Sequence, residues 1–156
     1  MTTSSRTSPA TRASGARGRA SFWSRVLAGL VGGVAGGLVF GMLMAVMGML
    51  PTVAMMVGSD VAAVGFGIHM MISIGIGLGL TVLFGNLLLT TYVRGLLVGM
   101  VYGAIWWVLG PLVIMPLMMG MPLFAIDTTA LFSFMGHIVY GGILGVVAVA
   151  ILSRRR

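Results

Sequence analysis

Four long apolar runs constrain this chain more than any other feature of its sequence. They cover residues 26–50, 61–84, 95–119 and 128–152, and about 20 apolar residues suffice to cross the hydrocarbon core of a bilayer. Only 7% of the residues are charged, against about 25% in a soluble domain. The sequence therefore predicts an all-α membrane protein with four transmembrane helices, the third of them kinked by Pro111 and Pro116.

The charged residues predict the orientation of these helices. With four spans, every arginine falls on one side of the membrane: before the first run, at Arg94 and at the C-terminus. Basic residues favour the cytoplasmic side, so both termini are expected in the cytoplasm of a bacterial-type inner membrane. Because the basic residues flank apolar runs, the expected partner is the lipid bilayer and not nucleic acid. Residues 1–21 are predicted to be a disordered basic tail preceding a transmembrane domain over 22–156.

The two acidic residues lie where helices are expected to begin. Asp60 and Asp127 precede the second and fourth runs, and an aspartate in that position accepts hydrogen bonds from free backbone amides. Both are therefore predicted to be structural N-caps. The chain has no cysteine and no acid besides these two, so no catalytic constellation is recognisable and the protein is expected not to be an enzyme.

An internal repeat relates the two halves of the chain. A shift of 68 positions places His69 on His137 and Phe66 on Phe134. A shift of 66 positions relates the first helix to the third, where three glycines spaced by four coincide: Gly29, Gly33 and Gly37 fall on Gly95, Gly99 and Gly103. Small residues at this spacing let membrane helices approach closely. The pattern predicts two tandem helical hairpins related by a pseudo-twofold axis along the membrane normal.

The paired histidines are the candidate functional residues. His69 and His137 are expected near the middle of the bilayer, where ionisable side chains are functional suspects. The simplest interpretation is that both are polar packing groups that hold no cofactor. Two facing imidazoles could instead ligate haem b. The chain also has 15 methionines, mostly in the outer half, and thioethers bind Cu(I), so His69, His137, Met70 and Met71 are a possible copper site.

Two stretches resemble a known family. They are Gly99-Met100-Val101-Tyr102-Gly103-Ala104-Ile105-Trp106-Trp107-Val108-Leu109-Gly110-Pro111 and Gly136-His137-Ile138-Val139-Tyr140-Gly141. Both are similar to the YagU-like family of small inner-membrane proteins, mainly over the third and fourth helices. The resemblance implies a four-helix inner-membrane protein with His137 inside its common motif, and it implies no reaction.

Three functions stay open at the level of sequence. The leading expectation is a non-enzymatic accessory or packing module. Such a module could be a subunit of a larger membrane complex or a homo-oligomer. Its expected contact surfaces are Trp106, Trp107 and the glycines of the first and third helices. A redox or metal-handling protein with a haem b or copper site is the alternative. A small channel or transporter is the third, although the expected bundle interior offers few polar side chains.

Overall fold

The computed structural model describes residues 20–88 and 91–154, with side chains for all of these except 86–88. Six α-helices follow one another: α1 (Phe22–Val46), α2 (Leu50–Ala54), α3 (Ala62–Leu88), α4 (Tyr92–Leu109), α5 (Met115–Met119) and α6 (Thr128–Ser153). A 3₁₀ turn at Met55–Val57 follows α2, and a π-helical segment at Gly110–Ile114 joins α4 to α5. The described residues contain no strand.

Four of these segments are long and apolar enough to cross a membrane: Phe22–Val46, Ala62–Gly85, Tyr92–Met119 and Thr128–Ser153. The predicted all-α class with four transmembrane helices is confirmed, and the chain is a multi-pass membrane protein. The end of the bundle near Asp60 and Asp127 is called the acidic end below, and the opposite end, near Arg25 and Arg94, the basic end.

The first helix differs from the predicted span of 26–50. It begins at Phe22 because the Ser21 side chain accepts a hydrogen bond from the amide of Ser24. It ends at Val46, and Gly48 follows with φ +68°, a left-handed conformation that favours glycine. The predicted disordered tail lies almost entirely outside the described residues.

Two further boundaries differ from the prediction. The segment expected to be a turn between the first two spans contains α2, whose Leu50 carbonyl lies where a side chain on Gly65 would have to be, so this short helix packs tightly on α3. The helix α3 also continues to Leu88 instead of ending at Gly85, since glycine is tolerated in membrane helices.

Prolines shape the third span without ending it. Pro111 has no amide hydrogen to donate, and it lies within the π-helical segment, where the amide of Met115 donates to the carbonyl of Gly110, five residues earlier. Such segments occur often at functional sites. The span then continues as α5, with Pro116 in its first turn.

The helices are arranged in the order α3, α1, α6, α4, with the main contacts between neighbours in that order. On α1, Gly33 and Gly37 face α3 while Gly32 and Gly36 face α6, so glycines on two faces of one helix hold it between two others. The glycines of α4 face α6. All these glycines pack against other helices of the same chain.

The contacts follow the sequence repeat. A Cβ on Gly33 would lie 2.8 Å from the carbonyl oxygen of Ser73, and a Cβ on the matched Gly99 would overlap the carbonyl of Gly141, the residue matched to Ser73. Equivalent positions thus meet in both halves. The pseudo-twofold axis itself stays a prediction.

Candidate functional site

A cavity of about 580 Å³ lies in the half of the bundle toward the acidic end. All four long helices contribute to its wall, and α2, α5 and their connections cover it. This cavity is called the histidine cavity because both histidines line it. The side chains on its wall that are polar or aromatic are Phe40, Thr52, His69, Ser73, Trp106, Asp127, Thr129, Ser133, His137 and Tyr140.

His69 reaches from α3 to α1. Its Nε2 lies 2.9 Å from the backbone carbonyl oxygen of Gly37, and this bond is possible because Gly37 has no side chain between the helices. A carbonyl oxygen only accepts hydrogen bonds, so Nε2 carries the proton and Nδ1 has the free electron pair. The hydroxyl oxygen of Ser73 lies 3.4 Å from the same Nε2.

His137 bonds within its own helix. Its Nδ1 lies 2.8 Å from the backbone carbonyl oxygen of Ser133, one turn earlier in α6. Nδ1 is therefore the donor and Nε2 has the free electron pair. The two histidines occupy matched positions of the repeat, but they satisfy their N–H groups in different ways.

Phe40 brings the two imidazoles together. Its ring centroid lies 5.1 Å from that of His69 and 4.9 Å from that of His137, and both contacts are edge-to-face. The ring fits because Gly136 has no side chain. Sequence reasoning missed Phe40, although its position four residues after Gly36 places it on the face of α1 that meets α6.

Each histidine presents its unbonded nitrogen to open space. Among the described residues, only Arg25 Nε is a buried side-chain nitrogen or oxygen without a partner. Nδ1 of His69 and Nε2 of His137 make no hydrogen bond within the described chain, so both lie on accessible surface, and the histidine cavity is the space that both residues line. We infer that these two nitrogens face the cavity and offer it two hydrogen-bond acceptors.

The two predicted caps have different outcomes. Asp127 is the N-cap of α6, where its carboxylate accepts from the amide of Ala130 at 2.7 Å. Asp60 lies two residues before Ala62, where α3 begins, and its role as a cap stays a prediction. Next to it, the hydroxyl of Ser59 accepts from the amide of Val61 at 3.2 Å.

The predicted copper ligands are only partly brought together. Met71 is 73% exposed on the lipid-facing side, and the sulfur of Met70 lies beside Gly37 between α1 and α3. Neither lines the histidine cavity, since consecutive helical residues point in different directions. Six other methionines do: Met44, Met49, Met56, Met115, Met119 and Met121.

Metal and haem binding stay predictions on this geometry. The described residues contain no cluster of three or more His, Cys, Asp or Glu side chains, so a metal ion would need sulfur ligands from the cavity methionines. A bis-histidine haem needs the two imidazoles on opposite faces of the macrocycle. Here both rings contact the same phenyl ring, and His69 could offer only Nδ1 while its Nε2 stays on Gly37.

The histidine cavity has a side opening between α3 and α4. Toward the basic end, the Tyr102 hydroxyl on α4 donates to the carbonyl of Ile76 on α3 at 3.1 Å. Toward the acidic end, α5 contacts the 3₁₀ turn at Met55–Val57. Between these two contacts, Ile72 and Ile114 line the cavity and are each 42% exposed, and from this we infer that the cavity opens there.

The histidine cavity is thus an apolar chamber with two imidazole acceptors, inside four helices of membrane-spanning length. No family model, curated protein or solved structure matches the chain.

Proposed function

We propose that this chain is a non-enzymatic protein of a bacterial-type inner membrane that binds a small lipophilic molecule in the histidine cavity. The observation that carries the proposal is a cavity of about 580 Å³ to which both histidines contribute an unbonded nitrogen. Ligand pockets are typically about 300–1,000 Å³, mostly apolar, with a few polar groups that orient the ligand. The histidine cavity has all three properties.

The side opening supports entry from lipid. It lies between two membrane-spanning segments, and the exposed residues beside it are Ile72 and Ile114, so an apolar molecule can pass without crossing water. Because Arg25 and Arg94 lie at the basic end, basic residues favour the cytoplasm for that end. The opening then faces the outer leaflet, and both termini lie inside.

The glycine contacts support a rigid frame around the ligand. Glycines of α1 and α4 bring backbones together, and this packing is complete without another subunit. An accessory role within a larger complex, and membership of the YagU-like family, are compatible with this frame and remain predictions.

Copper handling is the second candidate, and the six methionines on the cavity wall are the observation that favours it. A channel is less well supported, because the bundle below the cavity is filled by fully buried leucines, Leu80 and Leu144.

The experiment that tests the proposal is photolabelling in lipid nanodiscs with an alkyl chain that carries a diazirine. Phe40 and Met44 line the cavity and are only 6% and 5% exposed, so we expect label on them only if the probe enters. Ser133→Phe, which fills the cavity, should remove that label. Val139→Phe, which adds the same ring on the lipid-facing side of α6, should keep it. Label confined to lipid-facing residues would contradict the proposal.

A further inference from the structure

The histidine cavity favours a ligand that donates hydrogen bonds over one that accepts them. Each imidazole already donates its N–H to a backbone carbonyl, His69 to Gly37 and His137 to Ser133. The other nitrogen of each ring has an electron pair, which can only accept a hydrogen bond. A ligand that uses both rings must therefore bring two donors, whereas a ligand with carbonyl oxygens meets two acceptors.

The opposite polarity would disrupt existing bonds. For His69 to donate into the cavity, its proton would have to move from Nε2 to Nδ1. The electron pair of Nε2 would then face the Gly37 carbonyl oxygen across 2.9 Å, and the bond between α3 and α1 would be lost. The same holds for His137 and the Ser133 carbonyl. The fold thus fixes which nitrogen of each ring is the acceptor.

The walls favour an aromatic ligand. Phe40 contacts both imidazoles, and Trp106 and Tyr140 line the same space. Six methionines complete the lining, and thioether sulfur packs favourably on aromatic rings. The side opening leaves a path by which an apolar tail can extend into the lipid while the ring stays inside.

From this arrangement we propose that the histidine cavity binds a lipid-soluble hydroquinone and discriminates against the corresponding quinone. The two hydroxyl groups donate to Nδ1 of His69 and Nε2 of His137. On oxidation the hydroxyls become carbonyls and both hydrogen bonds are lost. The serine and threonine hydroxyls on the wall can donate or accept, and the carboxylate of Asp127, which also lines the cavity, accepts as the imidazoles do. The discrimination therefore comes from groups that only accept. The inference rests on the proposed function and names the ligand class of the same cavity.

The test is calorimetric titration of the full chain in nanodiscs, under anaerobic conditions, with decylhydroquinone and separately with decylquinone. We expect the reduced form to bind at least about tenfold more tightly, since the oxidised form leaves two acceptors facing two acceptors. Equal affinities, or tighter binding of the quinone, would overturn the inference without any variant.

Two substitutions keep the donors and replace each free ring nitrogen by an amide oxygen that lies in a different place. In His69→Gln the amide nitrogen can still donate to Gly37, and in His137→Asn it can still donate to Ser133, so the packing bonds are retained. We expect each to weaken hydroquinone binding about tenfold and to leave quinone binding within about twofold. Tyr92→Phe, which alters an exposed tyrosine at the basic end and outside the cavity lining, is the control and should keep the wild-type preference.

The outcomes separate this inference from the proposed function. If the diazirine probe labels Phe40 and Met44 but decylhydroquinone does not bind, the hydroquinone assignment is overturned and the proposed function stands. If Cu(I) binds and decylhydroquinone does not, the cavity is a soft-metal site and the assignment is again overturned. If neither the probe nor decylhydroquinone enters, both proposals fail.

Discussion

The helix pairs α1/α3 and α4/α6 have the same glycine spacing but pack differently. In α4/α6 glycine faces glycine, and a Cβ on Gly99 would overlap the carbonyl of Gly141. In α1/α3 the matched position of α3 is Ser73, and a Cβ on Gly33 would lie 2.8 Å from its carbonyl oxygen. At this position, the two helix backbones approach more closely when both helices have glycine than when only one does.

This difference explains the different bonding of the histidines. In α1/α3 the imidazole of His69 fits between the helices and donates to Gly37. In α4/α6 a Cβ on Gly103, the residue matched to Gly37, would overlap the His137 carbonyl. Backbone occupies that space, so the ring of His137 turns back onto its own helix. One histidine therefore joins two helices and the other does not.

The largest expected effect tests how closely the two helices within each pair pack. Gly99→Ala should destabilise the fold by about 3 kcal/mol, at the upper end for overpacking, and Gly33→Ala by about 1 kcal/mol, since its Cβ would overlap the neighbouring backbone less. Gly75→Ala, where a Cβ meets nothing within 4 Å, is the matched control. Thermal unfolding in detergent measures all three, and equal losses at Gly99 and Gly33 would remove the proposed difference in packing.

The next effect separates the histidines. His69→Ala should lower the free energy of unfolding by about 1 kcal/mol more than His137→Ala. The bond of His69 joins two helices and is lost when they separate, whereas that of His137 forms within α6 and survives. Unfolding of both variants by denaturing detergent gives the difference. A larger loss for His137→Ala would show that its contact with Phe40 outweighs the hydrogen bond.

The acidic residues allow a similar comparison at the starts of α3 and α6. Asp127→Ala should cost about 1 kcal/mol because the amide of Ala130 loses its acceptor. Asp60→Ala should change stability by less than about 0.5 kcal/mol, as is usual for an exposed side chain without a specific contact. The same unfolding measurement applies, and equal costs would mean that Asp60 caps α3 after all.

The smallest effect concerns two hydrogen bonds that join the pair α4/α6 to α3. The Tyr140 hydroxyl donates to the carbonyl of Ser73, and the Tyr102 hydroxyl to that of Ile76. Tyr140→Phe and Tyr102→Phe should each cost about 0.6 kcal/mol, the average for hydrogen bonds between membrane helices. Additive losses in the double variant would indicate two independent links, and a double loss smaller than the sum of the two single losses would indicate that each bond depends on the other.

Much of the fold could be predicted because lipid imposes simple requirements. A helix must be about 20 apolar residues long to cross the bilayer, and the four apolar runs met that condition. The helix boundaries were harder to predict. The short helix α2 depends on Leu50 packing against Gly65, a contact between two spans that hydropathy does not record, and the start of α3 depends on local hydrogen bonds at Ser59.

Part of the candidate site could also be predicted from the sequence. The repeat pointed to His69 and His137 but not to Phe40, and the methionines that line the cavity do not include the adjoining Met70 and Met71. Which sulfur atoms face the cavity depends on how each helix is rotated about its axis, and that rotation is fixed by glycine contacts along the whole helix.

The sequence by itself determined that the chain is a membrane protein, that it has four spanning helices and that two histidines occupy matched positions. These features follow from the length, hydropathy and spacing of its residues. The tertiary structure alone decided the order α3, α1, α6, α4, the cavity between them and the nitrogen that each imidazole leaves free. Those features depend on distances between helices, and a glycine or a serine at one contact is enough to change where an imidazole can donate its proton.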